Sequence, residues 1–274
     1  MRVLNRTIVY VFLIVVAVIS IFPFLWMIVS STNLSVDVTQ GRMLPGTHFV
    51  SNFNKLVDSI NLLPALWNSL KISLSTTILA LLVASLAGYA FEVYRSKAKD
   101  VVFNLLLVSM MIPFAALMVP LYQMFSSLSK TVPFLGINTM NAVVLPTFTT
   151  AFLIFFFRQS TKMFPRELLE AGRMDGLTEL GLFFRIYMPT MKTTYSAAAI
   201  ITFMSSWNNY LWPLIVLQTP EKRTIPLLIS NLGSSYAPDF GVIMTAIVIS
   251  TIPTALVFFL MQKQFVAGMV GSVK

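Results

Sequence analysis

Five side chains within six positions, Trp207, Asn208, Asn209, Tyr210 and Trp212, carry the strongest chemical signal in the apolar part of this chain. Amides hydrogen-bond neutral polyols, and aromatic faces stack on their apolar sides, so the cluster suits a path for a hydroxyl-rich solute. An Asn within a membrane span is costly unless it is hydrogen-bonded. The same residues therefore also read as an Asn pair bonded to a neighbouring helix, with the aromatics as an interfacial belt. Tyr122 and Gln123 are further candidates of the same kind. Bond-making chemistry has no comparable signature. There is no Cys, hence no disulfide or thiolate metal site, and the single His48 has no second His nearby. There is no G-x-x-x-x-G-K-[ST] phosphate loop, no Ser–His–Asp arrangement and no metal-ligand cluster. The chain does not read as an enzyme, and uphill movement of a solute would need energy from another subunit.

The second stretch of interest is polar: Arg158 to Lys192, RQSTKMFPRELLEAGRMDGLTELGLFFRIYMPTMK. Pro165 suits the first position of a helix, where no backbone N–H is needed, and Glu167 and Glu170 suit the first turns. Leu168, Leu169, Met174 and Leu177 predict an apolar stripe, with Ala171 and Gly172 beside it. Glu170 and Arg173 stand at i,i+3 and can pair. Gly176, after Asp175, suits the left-handed turn that ends a helix. Such a short amphipathic helix between spans has two readings: a helix lying on the lipid surface, or a knob that docks a soluble partner. Its mixed charge favours a protein partner, because surface-lying helices tend to be purely basic on the polar face.

The elements that must position these residues are membrane spans. The chain is 57% hydrophobic and 11% charged over 274 residues, with a mean hydropathy of +0.81. That composition excludes an ordinary soluble domain. The net charge of +9 is not organised as a basic cluster interleaved with aromatics, so nucleic acid is not the partner. The hydropathy pattern predicts six spans, about Ile8–Ser30, Ser69–Val93, Val101–Phe125, Asn141–Phe157, Thr193–Leu217 and Gly241–Met261. The first is too long for a signal-peptide core and no A-x-A site follows, so it reads as uncleaved. Span 2 shows Ala80, Ala84 and Gly88 at intervals of four, a ridge that permits close packing. Pro113 and Pro120 predict a kinked span 3. With both termini in the cytoplasm, 13 of the 19 Lys and Arg fall on that side, in agreement with the positive-inside rule. This places loop 158–192 inside. Glu92 and Lys71 fall at span ends, where they can snorkel. The absence of mid-span ionisable residues lowers two alternatives, an ion-coupled secondary carrier and a channel with charged rings. A non-transporting membrane scaffold is a third alternative. The organisation expected is residues 1–68 for the first span and outer loop, 69–261 for the core, and 262–274 for a tail.

Glu170-Ala171-Gly172, three residues, Gly176, nine residues, Ile186, then Met188-Pro189 resembles the EAA loop of ABC importer permeases. Gly172 stands for the second Ala of that motif and Met188 for its Leu. The resemblance extends over Met111-Ile112-Pro113, Pro120-Leu121-Tyr122, Leu145-Pro146, Phe157-Arg158-Gln159 and the Trp207–Ile215 run. It reaches the end of the chain in Gln264–Gly268 and Gly271–Lys274. It covers about Leu66 onward and is nearest to the second membrane subunit of maltose-type carbohydrate importers. Where that family often has Asp, this chain has Asn209. The resemblance implies an all-α type I importer permease in the bacterial cell membrane, with a cytoplasmic coupling helix between spans 4 and 5. It implies a related second permease, two ATPase subunits that hold ATP and Mg, and an external solute-binding protein. No cofactor is implied in this chain. The implied cargo is a sugar, an oligosaccharide first, with a monosaccharide, acidic sugar or sugar phosphate as the alternative. By the same resemblance Leu168, Glu170, Ala171, Gly172, Met174, Asp175 and Gly176 face the ATPase, and Gly268, Gly271 and Lys274 reach it from the tail.

Overall fold

A computed structural model describes residues 2–271, with side chains described over 6–263. The helices follow in chain order: α1 (Arg2–Ser31), α2 (Ser35–Thr39), α3 (Phe49–Ser59), α4 (Leu62–Val93), α5 (Lys97–Ser109), α6 (Phe114–Thr131), α7 (Met140–Val144) and α8 (Ala151–Thr161). Then come α9 (Arg166–Met174), α10 (Glu179–Leu182), a π-helical turn Phe183–Tyr187, α11 (Met188–Thr190), α12 (Lys192–Trp207), α13 (Leu211–Val216), α14 (Ile225–Gly233) and α15 (Phe240–Gly271). Among the described residues there is no strand.

Among the described residues, three helices are long and apolar enough to cross a membrane: Arg6–Ser31, Leu62–Val93 and Phe240–Lys263. The other three expected spans are not continuous helices. The expected kink in span 3 is a bend of 99° between α5 and α6, a broken span or a re-entrant turn. Pro113 stands at the N-cap of α6, in extended backbone, which is where a residue with no N–H to donate belongs. Pro120, inside α6, does not end it. Span 4 is split into α7 and α8 around Pro146, and Thr150 restarts the chain as a cap whose Oγ1 accepts from the Leu153 N–H at 3.3 Å. Span 5 is split into α12 and α13 across Asn208–Tyr210.

The chain divides into two compact units. One contains the residues up to Leu63 and Ile225–Ile252. Its core polar contact is buried Asn52, whose Nδ2 donates to the carbonyls of Ser31 and Asn33, both at 2.9 Å. Gly241 comes so close to that carbonyl that an added Cβ would lie 2.6 Å from Asn33 O. Lys55 pairs with Asp239 at 3.2 Å on its surface.

The other unit contains Pro64–Thr224 and the chain from Pro253 on. Its apolar centre is the expected small-residue ridge. Ala80 and Ala84 are buried against Phe103, Leu153, Ile154, Phe157 and Ala198. Gly88 continues the ridge, with the backbone of Arg158 where its side chain would be. Absence of a Cβ there lets α4 and α8 touch backbone to backbone. Glu92, one turn further on, departs from expectation. It does not snorkel; its side chain is 8% exposed and is held by Arg158, itself 6% exposed. The close approach at Gly88 buries that pair, and a lone carboxylate could not be buried so. Lys71 is exposed, with its ammonium 5.1 Å from the centroid of the Trp67 ring.

Candidate functional site

Two regions of the Pro64–Thr224 unit carry the residues singled out above. The first is α9 and its bed. Pro165 caps the helix in extended backbone, Arg166–Met174 form it, Asp175 ends it, and Gly176 follows at φ 78°. Leu169 and Gly172 face inward, with Leu169 packed in a cluster of Tyr89, Phe164, Leu182, Phe183, Tyr187 and Met191. Phe183 and Tyr187 stack 5.4 Å apart, and Tyr89 crosses both. Tyr187 Oη and Thr161 Oγ1 share a hydrogen bond of 2.6 Å that ties this bed to α8. Burial pushes the Tyr187 hydroxyl pKa up, so the group stays a neutral donor or acceptor.

The apolar stripe read from the sequence is only half inward. Leu168 is 41% exposed and Met174 87%, on the outer side with Glu170 and Ala171. Nine residues give an apolar face one stripe wide, and Leu169 and Gly172, three apart, take it. Gly172 in place of Ala has a local cause. An added Cβ would meet the tips of Ile186 and Leu182 at 2.5 Å, so these larger side chains occupy the space an Ala methyl would need. The expected Glu170–Arg173 pair does not form. Arg173 instead bonds both oxygens of Glu179, at 3.0 and 3.3 Å, and the Tyr94 hydroxyl donates to the same carboxylate. Those hydrogen bonds, from Arg173 first and then Tyr94, hold Glu179 below the usual carboxylate range. Partial burial first, and then the bond to Glu179, raise the Tyr94 pKa. The clamp therefore joins both ends of the α9–α10 turn to the end of α4.

The second region is a cleft of about 450 Å³. It lies where the breaks in spans 4 and 5 come together, with Pro146, Thr147 and Thr150 on one side and Thr202, Ser205, Ser206 and Asn209 on the other. Irregular backbone inside an expected span is tolerated where it lines a cavity, and both breaks line this one. Thr76 lines the cleft from α4; it is buried, and its Oγ1 has no hydrogen-bond partner among the described residues. No charged side chain lines the cleft. Of the six residues expected along a solute path, Asn209 is on this lining and the others are elsewhere. Trp207 is buried and stacks on Phe203 at 5.8 Å, Asn208 bonds back to Met204 O at 2.9 Å, and Tyr210 starts α13. Tyr122 accepts from Gln218 at 3.5 Å, and Gln123 is exposed. The helix ends at Trp207, so neighbours in sequence turn to different surroundings. Trp212, read as part of the same cluster, is a core residue whose Nε1 donates to Ala142 O at 2.8 Å between Phe114 and Phe125. The hydroxyls of span 4 were missed as site residues; the signal was Pro146 with three Thr nearby in an apolar run. Gly268 and Gly271 lie beyond the described side chains, and Lys274 beyond the described residues.

The sequence and the fold of this chain have known counterparts. Residues 80–271 match the family described as binding-protein-dependent transport system inner membrane component. The chain belongs to that family. The permease is 47% identical over 258 residues to the lactose transport system permease protein LacG of Rhizobium radiobacter, covering 94% of this chain and 92% of that one. It is 36% identical over 265 residues to the arabinooligosaccharides transport system permease protein AraQ of Halalkalibacterium halodurans, covering 94% and 93%. Its fold matches a chain in the crystal structure of a bacterial ABC transporter that imports the acidic polysaccharide alginate. The TM-score is 0.82 at 20% identity, with 96% of both chains covered. The permease is thus an all-helical membrane component with the type I ABC importer fold.

Proposed function

We propose that this permease passes a neutral di- or oligosaccharide across the cell membrane by alternating access, as one subunit of an ATP-driven importer. The observation that carries the reading is α9: its inner side is locked on an aromatic bed, while Leu168, Glu170, Ala171 and Met174 remain outward. Two apolar side chains beside a carboxylate on the outside of a held helix suit a protein contact of mixed chemistry. The contact is a separate ATPase subunit, which hydrolyses ATP; this chain hydrolyses nothing. Residues 69–261 form the transport core, spans 2–6 of six, some of them broken, with both termini in the cytoplasm. A second, related permease completes the path, and an external binding protein delivers the sugar. Closure of the ATPase pair draws the α9 helices together and turns the cleft outward; the loaded binding protein favours that state, as any ligand-driven shift requires. The hydroxyls and one amide of the cleft, set among Phe114, Phe148 and Phe152 and with no charge, suit the polar edges and apolar faces of a neutral polyol, and the lactose and arabinooligosaccharide relatives support a sugar of that size. In this reading Asn209 and Thr76 touch the sugar, Gly176 gives close approach to the ATPase, and the tail residues Gly268, Gly271 and Lys274 reach it too.

The test is purification from native membranes in mild detergent, followed by reconstitution with the partners found. An ATPase and a second permease should accompany this chain, and Met174→Glu should release the ATPase without changing the melting temperature. Thr76→Val and Asn209→Leu should lower uptake while the assembly stays intact. Uptake by the lone chain on an ion gradient would overturn the reading.

A further inference from the structure

Five charged side chains meet where α4, α5, α8 and α9 approach each other. Arg158 of α8 donates from Nε to Glu92 Oε2 of α4 at 3.3 Å and from Nη2 to Asp100 Oδ1 of α5 at 2.5 Å. Its guanidinium also lies over the Phe103 ring, 4.0 Å from the centroid. One Arg therefore fixes three membrane helices to each other. Arg95 adds a bond to the second oxygen of Asp100 at 3.0 Å. These four groups are balanced, two carboxylates against two guanidinium ions, so the buried pair has its charge answered without help.

The fifth group is Arg166, the first residue of α9. Its Nη2 stands 3.8 Å from Glu92 Oε1, the oxygen that Arg158 leaves open, and its side chain is 66% exposed. It is the longest contact of the set, Arg166 is the most exposed of the five side chains, and neutrality does not require it. We propose that Glu92 is a positioning residue for transport. Arg158 holds it to the membrane helices on one side, while Arg166 engages it from α9 on the other, making and breaking the contact as α9 is displaced. The proposal rests on α9 being the helix that meets the ATPase. The aromatic bed under Leu169 holds α9 down but is non-directional, as apolar contact is. The Arg166–Glu92 contact adds a link that acts between two defined points, with a free energy that differs between the engaged and released positions. A coupling between sites requires such a difference.

The experiment uses the whole assembly in lipid vesicles with sugar-loaded binding protein, and reads sugar uptake and ATP hydrolysis from one preparation. Arg166→Gln should leave assembly and melting temperature unchanged, because the remaining charges balance. Sugar imported per ATP should fall roughly two- to fivefold, the scale of one exposed pair. Arg166→Lys should restore most of that ratio, since a positive charge is retained. Glu92→Gln should lower the ratio as well, and lower the melting temperature by exposing Arg158 to an incomplete pairing. An unchanged ratio in Arg166→Gln, an equal loss in Arg166→Lys, or a failure of Arg166→Gln to assemble would each overturn the proposal. If the parent assembly shows no ATP-dependent uptake, it is the importer reading that fails.

Discussion

Gly88→Ala tests how α4 meets α8. The added methyl would stand 2.7 Å from the Arg158 backbone nitrogen, 2.7 Å from Phe157 Cβ and 3.0 Å from the Phe157 carbonyl carbon. Ordinary contact begins at 3.4 Å, so the helices must part by about 0.7 Å. None of these atoms is the tip of a flexible side chain, so no rotamer change relieves the overlap. Overpacking of this kind costs about 1–3 kcal/mol, and Ala regains about 1 kcal/mol over Gly within a helix. The net loss is about 1 kcal/mol, or roughly 2–4 °C in melting temperature for a chain of this size. The same displacement would carry the 3.3 Å Arg158–Glu92 bond to about 4 Å, the limit of an ion pair. Thermal unfolding in detergent, followed by Trp fluorescence, reads the effect. Gly181→Ala is the control, since its Cβ would meet nothing closer than 3.4 Å and should gain a few tenths of a kcal/mol, roughly. If Gly88→Ala melts at or above the parent while the control behaves as expected, the backbone contact between these helices is wrong.

Three further outcomes follow from the same geometry. Trp212→Phe keeps the packing between Phe114 and Phe125 but removes the bond to Ala142 O, so stability should fall by about 1–2 kcal/mol in the same melting assay. Gly176→Ala meets no atom within 4 Å, and its cost of about 1–2 kcal/mol should come from backbone strain at φ 78° alone; Gly176→Asn should cost measurably less. The Glu179 clamp predicts a pH dependence. Its carboxyl is held below the usual range, so the folded state binds fewer protons than the unfolded one. The contribution is complete above the ordinary Glu value of about 4.3 and is lost as pH falls through the lower folded value. At the alkaline end Tyr94, raised above its ordinary value near 10, keeps its proton through neutral pH. Hydrogen exchange of the Leu177–Gly181 amides, corrected for intrinsic rate, should therefore be level from about pH 5 to 9 and lose protection below about 4.3. Flat protection down to pH 3 would remove the clamp from the account.

Composition and period sufficed for the class of this protein. An apolar fraction of 57% and an EAA-like run at matched spacing are properties of the chain itself, and they identified a membrane permease before any contact was known. Local signals also held where they depend on neighbours in sequence: Gly176 at a left-handed turn, and the Ala80–Ala84–Gly88 ridge on one helix face. Hydropathy could not separate a continuous helix from a broken one, because a window of about 20 residues averages the few polar positions around Pro113, Pro146 and Asn208 into the apolar stretches they interrupt. The tertiary structure alone decided that the two breaks in spans 4 and 5 share a cleft, and that of the amide–aromatic run Asn209 lines it while Trp207 and Trp212 are core. It also decided that Leu168 and Met174 point outward, and that Glu92 finds Arg158, 66 positions away. A local pattern records what a residue can pair with; which partner it meets depends on how closely distant helices approach, and at Gly88 that approach is set by a missing methyl group.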